Sequence, residues 1–169
     1  LVAATLIAST RNDAGAAITL AQPGNDADVA TLRALDSTGA AARPGDVSFR
    51  DADGVQFATI QTGGTLSVVA GGAVTDTGTL SVTGAASFKT LAAAGAAQIT
   101  LDDDGAPYTN SFGSLSLATR DAGDAGPVAT AITVRENAAM DLASLSTLGA
   151  VTVQSNGAVT DSGALAAAS

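Results

Sequence analysis

The sequence contains no cysteine, no histidine and no tryptophan, and only 3% of its 169 residues are aromatic. Without cysteine there can be no disulfide framework and no thiolate metal site. Without histidine there is no Ser-His-Asp or Cys-His triad and no imidazole ligand for zinc. The sequence therefore predicts no catalytic residues and no cofactor, and we expect a protein that is not an enzyme.

Charge is also scarce and one-sided. Charged residues make up 14% of the chain, with 16 acids against 7 bases and a net charge of -9. All but one of the acids are Asp, which suits turns, whereas the Glu and Lys of soluble helices are nearly absent. A negative chain is a poor partner for nucleic acid. No apolar run approaches the ~20 residues of a membrane span.

Two segments of the chain are closely similar. Residues 72–80 read Gly-Ala-Val-Thr-Asp-Thr-Gly-Thr-Leu, and residues 157–165 read Gly-Ala-Val-Thr-Asp-Ser-Gly-Ala-Leu, at an offset of 85. The offset holds without a gap back to Val47 and Ile132, with 12 of 34 positions identical, and Ile18 matches Ile99 at an offset of 81. Residues 1–169 thus form one repeat segment of about two copies of an 85-residue unit. Because no signal peptide is visible and the second copy stops short, we expect a fragment of a longer protein.

Short apolar–polar–apolar alternations recur along both copies. A period of two places the flanking residues on one face of a strand and the Ser or Thr on the other. Clusters of Gly, Asn and Asp separate the runs, and no convincing helical stretch interrupts them. These runs predict strands at residues 18–20, 47–49, 66–68, 80–82, 99–101, 115–117, 132–134 and 151–153.

Two all-β architectures use such strands, namely an antiparallel sandwich or barrel and a β-solenoid. A sandwich usually has large aromatic core residues and does not need so long a repeat. In a solenoid each coil stacks on the previous one in the same direction, and small Ala, Ser, Thr and Gly residues suit its narrow interior. We therefore predict an all-β parallel β-helix (β-solenoid), with four coils of about 21 residues in each repeat unit.

Residues 76–88, Asp-Thr-Gly-Thr-Leu-Ser-Val-Thr-Gly-Ala-Ala-Ser-Phe, are followed by Ile-Thr-Leu-Asp at 99–102 and Phe-Gly-Ser-Leu-Ser-Leu at 112–117. Between about Ile18 and Leu165 the chain resembles the repeats of large bacterial exoproteins of the filamentous haemagglutinin type. The resemblance implies a right-handed parallel β-helix, secreted or held at the surface of a Gram-negative cell. It also implies, for the parent protein, an outer-membrane partner in two-partner secretion. That family's amino-terminal secretion domain is not recognisable in this chain.

The function implied by the resemblance is that of a structural stalk or adhesin segment, whose partners would be host or neighbouring cell surfaces. Both ends of a β-solenoid expose unpaired strand edges, which favour pairing with another chain. We therefore also expect end-to-end self-association into an extracellular filament or matrix.

Two surface features are candidate binding sites. Asp102, Asp103 and Asp104 form the densest acidic cluster and could hold a weak calcium ion in a loop, although a solvated loop is the simpler interpretation. Tyr108 is expected on a loop, where a contact role is more common than in a strand. The four phenylalanines occupy apolar strand positions and are expected in the core. Arg50 beside Asp51 and Arg135 beside Glu136 are expected on a solvated face.

Two other functions remain alternatives. A carbohydrate-active β-helix enzyme would need two carboxylates flanking a glycosidic bond, and Asp is plentiful here. A ligand-binding adhesin tip would use loops such as 105–111 and 122–130. Scarce aromatics disfavour a sugar-degrading site, because such sites normally offer aromatic platforms.

Overall fold

The computed structural model describes residues 1–102 and 107–167, and their regular structure is entirely β-strand. Fifteen strands form one sheet. Among the described residues, no helix is long and apolar enough to cross a membrane. The strands are β1 (Val2–Arg11), β2 (Ile18–Leu20), β3 (Asp26–Leu35), β4 (Val47–Asp51), β5 (Val55–Thr62), β6 (Leu66–Ala70), β7 (Val74–Asp76), β8 (Leu80–Leu91), β9 (Ile99–Leu101), β10 (Ser111–Arg120), β11 (Ile132–Glu136), β12 (Met140–Thr147), β13 (Val151–Ser155), β14 (Val159–Asp161) and β15 (Leu165–Ala167).

All pairings between these strands are parallel. Two strands can pair in parallel only if the connection between them carries the chain back to the end at which the first strand began. The chain does so repeatedly over short distances, which is consistent with a β-solenoid. The all-β class and the parallel sheet predicted from the sequence are confirmed, and the antiparallel sandwich is excluded.

We call the stretch of chain that leads from one residue to its partner on the next strand a circuit, and the circuits differ in length. Val47 pairs with Leu66 after a short circuit, whereas Ile99 pairs with Ile132 after a much longer one. The shortest circuits approach the predicted coil length, and the longer ones contain loops such as those before Val47 and Ile132. The circuits therefore share no single length.

Equivalent residues of the two repeats lie in different ladders. Val47 belongs to the ladder Ile18–Val47–Leu66–Ala86–Leu115–Leu142. Its repeat equivalent Ile132 belongs to the ladder Val55–Val74–Ile99–Ile132–Val151. Ile132 lies between Leu115 and Leu142 in the sequence, so one repeat unit covers between three and four circuits. The expectation of four circuits per unit was wrong, because loop insertions lengthen some of them.

The interior is a continuous stack of apolar side chains. One ladder runs Leu20–Phe49–Val68–Phe88–Leu117–Leu145–Leu165. The phenylalanine rings form a chain of edge-to-face contacts, with centroid separations of 5.9 Å, 6.4 Å and 5.9 Å along Phe49, Phe57, Phe88 and Phe112. All four are buried, which confirms their predicted core role.

Hydroxyl side chains form ladders on the outside. Residues directly between two inward-facing positions point outward, because side chains alternate along a strand. One outward ladder runs Thr19–Ser48–Ser67–Ser87–Ser116–Ser144. The surface of the sheet is therefore rich in hydroxyl groups and poor in charge.

Candidate functional site

Tyr108, the predicted contact residue, lies between β9 and β10 and is half-buried. The guanidinium of Arg135 lies over its ring, 5.5 Å from the centroid. A cation in this position is attracted by the negative face of the ring. Arg135 lies between the buried residues Val134 and Glu136 of β11, so its side chain faces outward. The contact therefore fixes Tyr108 against the outer face of the sheet.

Two further side chains hold Arg135. Its Nε donates a hydrogen bond to Gln154 Oε1 at 2.6 Å, and its Nη1 donates to Asp102 Oδ2 at 3.1 Å. The register of β11 with β13 places Gln154 beside Arg135, while Asp102 directly follows β9 on the other side. The Tyr108 hydroxyl lies 3.5 Å from Gln154 Oε1. We name Asp102, Tyr108, Arg135 and Gln154 the Tyr108 cluster.

A column of threonines runs beside the Tyr108 cluster. The strand registers align Thr75, Thr100, Thr133 and Thr152, and we name these four residues the threonine strip. Neighbouring strands lie about 4.8 Å apart, so the strip extends over about 14 Å. A shallow groove of about 270 Å³ adjoins its first residue, lined by Asp28, Gly54, Val55, Gln56, Ala73 and Thr75. The face thus offers a line of hydroxyl and amide groups.

Of the three candidate calcium ligands, the structure describes only Asp102. Asp103 and Asp104 lie outside the described residues. Asp102 forms the ion pair with Arg135. Within residues 1–102 and 107–167, no group of three or more acidic, His or Cys side chains could hold a metal ion. The contact that the structure shows for the Asp102 carboxylate is thus the ion pair within the Tyr108 cluster.

Asp51 and Glu136 lie in the interior, whereas the sequence suggested a solvated face for both. They are only 2% and 1% exposed. Asp51 Oδ2 accepts a hydrogen bond from the backbone N–H of Ala27, and Glu136 Oε1 accepts one from that of Phe112, both at 2.9 Å. Each carboxyl thus binds a backbone donor at the start of a long strand, β3 or β10. These donors would otherwise be buried without a partner.

Burial disfavours the charged form of both acids. It raises the pKa of Asp51 to about 6, although the backbone N–H groups of Ala27 and Asp53 oppose the shift. It also raises the pKa of Glu136, against the hydrogen bond from Phe112. Both acids with a raised pKa therefore accept hydrogen bonds from backbone amides in the interior of the protein.

A third buried acid supports the Tyr108 cluster from within. Asp76 Oδ2 accepts a hydrogen bond from Asn110 Nδ2 at 2.7 Å, and its Oδ1 accepts one from the backbone N–H of Asp102 at 3.0 Å. Asn110 Oδ1 in turn accepts one from the backbone N–H of Leu80 at 2.8 Å. This network fixes the backbone on both sides of the segment that carries Tyr108.

A family of repeats of unknown function (DUF5649) matches residues 44–119 and 129–169, which is more than half of the chain. The chain belongs to the DUF5649 family. No curated protein and no solved structure matches the chain. The two DUF5649 matches begin at residues 44 and 129, and thus reproduce the offset that relates the two halves of the sequence.

The DUF5649 repeat is also a repeat of internal contacts. Asp51 and Glu136 are equivalent at this offset, and so are the amides that they bind. Thr62 Oγ1 donates to the carbonyl of Gly45 at 2.5 Å, and Thr147 Oγ1 donates to that of Thr130 at 2.7 Å. These pairs are equivalent too. The buried polar contacts are therefore part of the scaffold that both copies require.

Equivalent loops of the two DUF5649 copies are organised round an aspartate. Asp36 Oδ1 accepts a hydrogen bond from the backbone N–H of Ala40, and Asp121 Oδ1 accepts the equivalent one from Ala125. Gly39 has φ 79, and the equivalent Asp124 has φ 58. Asp is one of the few residue types that tolerates this left-handed conformation. Asp124 also pairs with Lys89, a contact for which a glycine has no side chain.

Two signals in the sequence could have placed the buried polar residues better. In β4, the period of two that buries Val47 and Phe49 also points Asp51 inward. The same period buries Glu136 and exposes Arg135. The contact between Arg135 and Gln154 has no local signal, because it depends on the register between β11 and β13.

Proposed function

We propose that this DUF5649 chain is a rigid, rod-like structural segment of a secreted or surface-exposed bacterial protein, wound as a right-handed parallel β-helix. The observation that carries the proposal is the set of unbroken parallel ladders. The ladder from Ile18 through Leu142 ends at Asp161 and contains seven residues. At about 4.8 Å per step it extends over about 29 Å. Right-handed connections are the rule between parallel strands of one sheet.

A rod of this kind suits a spacer function. Each circuit satisfies its backbone hydrogen bonds with its two neighbours, so length can grow by adding circuits without a larger core. The resemblance to haemagglutinin-type exoproteins supports a position outside the cell, projecting a binding region or building a matrix. Asp51 and Glu136, the two acids with a raised pKa, are buried and accept hydrogen bonds from backbone amides, which favours a structural role over glycoside hydrolysis.

End-to-end association of copies would convert the rod into a filament. Within the described residues, β1 and β2 pair on one side only at one end, as do β13, β14 and β15 at the other. Apolar side chains are exposed at both ends, including Val2 at 79% and Leu165 at 47%. The two edges have the same strand direction, so isolated copies of the segment 1–169 can continue one another's ladders.

Sedimentation velocity of the full chain over a concentration series tests this association. We expect the mean mass to rise with concentration, and we expect Leu165→Lys to lower the association constant at least tenfold, because it places a charge on the end of an interior ladder. Leu148→Lys is the matched control, because Leu148 is equally exposed at 48% but lies in the turn before β13. A wild-type chain that remains monomeric at the highest concentration would refute the filament. Equal effects of the two variants would refute it as well.

A further inference from the structure

The Tyr108 cluster is not required by the repeat scaffold. The first copy contains no tyrosine, and at the offset of 85 it has Val69 where the second has Gln154. Arg135 does have an equivalent, Arg50, but no side-chain hydrogen bond of Arg50 is present among the described residues. The scaffold contacts occur in both copies, whereas this cluster occurs once. A feature that the fold can omit is a candidate for function.

The cluster also contains the one aromatic side chain of the described residues that is not buried. The four phenylalanines are buried and there is no tryptophan. Tyr108 offers an apolar ring with a polar hydroxyl at its tip, a combination that is common where a ligand is partly apolar and partly wet. Its ring is held in place by Arg135 before any ligand arrives, which lowers the entropy that binding must offset.

Hydrogen-bonding groups surround the ring on the same face. The Gln154 amide group has two donor hydrogens, and each hydroxyl of the threonine strip can both donate and accept. Thr133 precedes Arg135 by two positions, and Thr152 precedes Gln154 by two, so these threonines share the outer face with the cluster. A ligand along this face would meet one apolar ring and a row of hydroxyl and amide groups.

The charge of this face favours a neutral ligand. The cation of Arg135 is paired with Asp102 at 3.1 Å, so the cluster carries no excess positive charge. The chain as a whole carries -9, which repels polyanions. A molecule with many hydroxyls, apolar C–H faces and no charge is a neutral saccharide.

We propose that the Tyr108 cluster, together with the adjacent threonine strip, is a binding site for a neutral polysaccharide lying along the rod. The pyranose ring stacks against Tyr108, and its hydroxyls bond to Gln154 and to the threonine hydroxyls. The side chains of the site point outward from the sheet, so binding does not require end-to-end association, although Thr152 and Gln154 lie on the edge strand β13. Such a site would allow the rod to bind a polysaccharide in addition to acting as a spacer.

Affinity electrophoresis of the full chain tests the proposal, with hydroxyethylcellulose, dextran or galactomannan in the gel as neutral probes and polygalacturonate as the anionic one. We expect retardation by at least one neutral polymer and none by polygalacturonate. Tyr108→Ala should weaken the retardation constant at least tenfold, Gln154→Ala several-fold, and Tyr108→Phe least. Arg50→Ala, at the equivalent position of Arg135 in the first copy, should be retarded as strongly as the wild type.

Two results would overturn this assignment. One is the absence of retardation by all three neutral polymers, and the other is a Tyr108→Ala variant that is retarded as strongly as the wild type. Thermal unfolding of each variant checks that the sheet is intact, and Gln154→Ala keeps the test valid if the Tyr108→Ala variant is unstable. Leu165 belongs to neither the Tyr108 cluster nor the threonine strip. The Leu165→Lys variant should therefore bind the polysaccharide as strongly as the wild type, whether or not the filament exists.

Discussion

Replacement of Phe88 by alanine is expected to lower the free energy of unfolding by about 3–5 kcal/mol, the range measured for buried aromatic truncations. Phe88 is fully buried. Its ring contacts Phe57 at 6.4 Å and Phe112 at 5.9 Å between centroids, so the truncation removes two aromatic contacts as well as apolar area. Urea titration of both proteins, followed by circular dichroism, gives the difference.

Phe88→Leu is the control for this prediction, because leucine fills most of the volume and should cost clearly less than alanine. A double-mutant cycle with Phe57→Ala should show an interaction energy of about 0.5–1.5 kcal/mol, the size expected for one aromatic pair. A loss below about 1 kcal/mol for Phe88→Ala would mean that the phenylalanines do not share one continuous core.

The second prediction is that the free energy of unfolding decreases as the pH rises from about 4 to about 6. Asp51 has an ordinary pKa of 3.8 and a raised pKa of about 6 in the folded chain. The folded state therefore holds a proton that the unfolded state has already released in this window, so a rise in pH favours unfolding. The raised pKa of Glu136 acts in the same direction. Thermal midpoints measured from pH 4 to pH 7 should therefore decline.

Asp51→Asn should flatten that decline, because the asparagine does not titrate. Asp46→Asn is the matched control. Hydrogen bonds from Thr65 hold the pKa of Asp46 below its usual value, so Asp46 adds stability that is lost only as the pH falls below about 3.8. Its substitution should leave the decline between pH 4 and pH 6 unchanged. Stability that rises over this window in the wild type would contradict the burial of Asp51.

The strands that the sequence predicts are those with large apolar residues at alternate positions. All eight predicted runs, from Ile18–Leu20 to the run at 151–153, lie within strands. The predicted runs missed β5, β7, β12, β14 and β15, although β5 and β12 begin with the alternations Val-Gln-Phe and Met-Asp-Leu. They also missed the long strands β1 and β3, where alanine supplies many of the inward positions, including Ala27 and Ala30. Alanine gives a weak period-two signal, since it is small and common on both faces.

The number of circuits per repeat could not be read from the sequence. A repeat length fixes how much chain recurs, but loops of different length decide how many circuits that chain completes. The candidate site shows the same division. Tyr108 was predicted from its loop position, whereas Gln154 joined the site only through the register of β13 on β11.

Distances between spin labels along one outward ladder test the parallel winding most directly, and the absence of cysteine makes two-cysteine variants specific. The registers place Thr19, Ser48, Ser67, Ser87 and Ser116 on consecutive steps. At about 4.8 Å per step, the ladder predicts about 10 Å between backbone positions two steps apart and about 19 Å for four steps. Dipolar line broadening for Ser48–Ser87 and double electron–electron resonance for Thr19–Ser116 should show this increase, with label linkers broadening both distributions. A Thr19–Ser116 distance equal to or shorter than the Ser48–Ser87 distance would contradict the winding and the rod built on it.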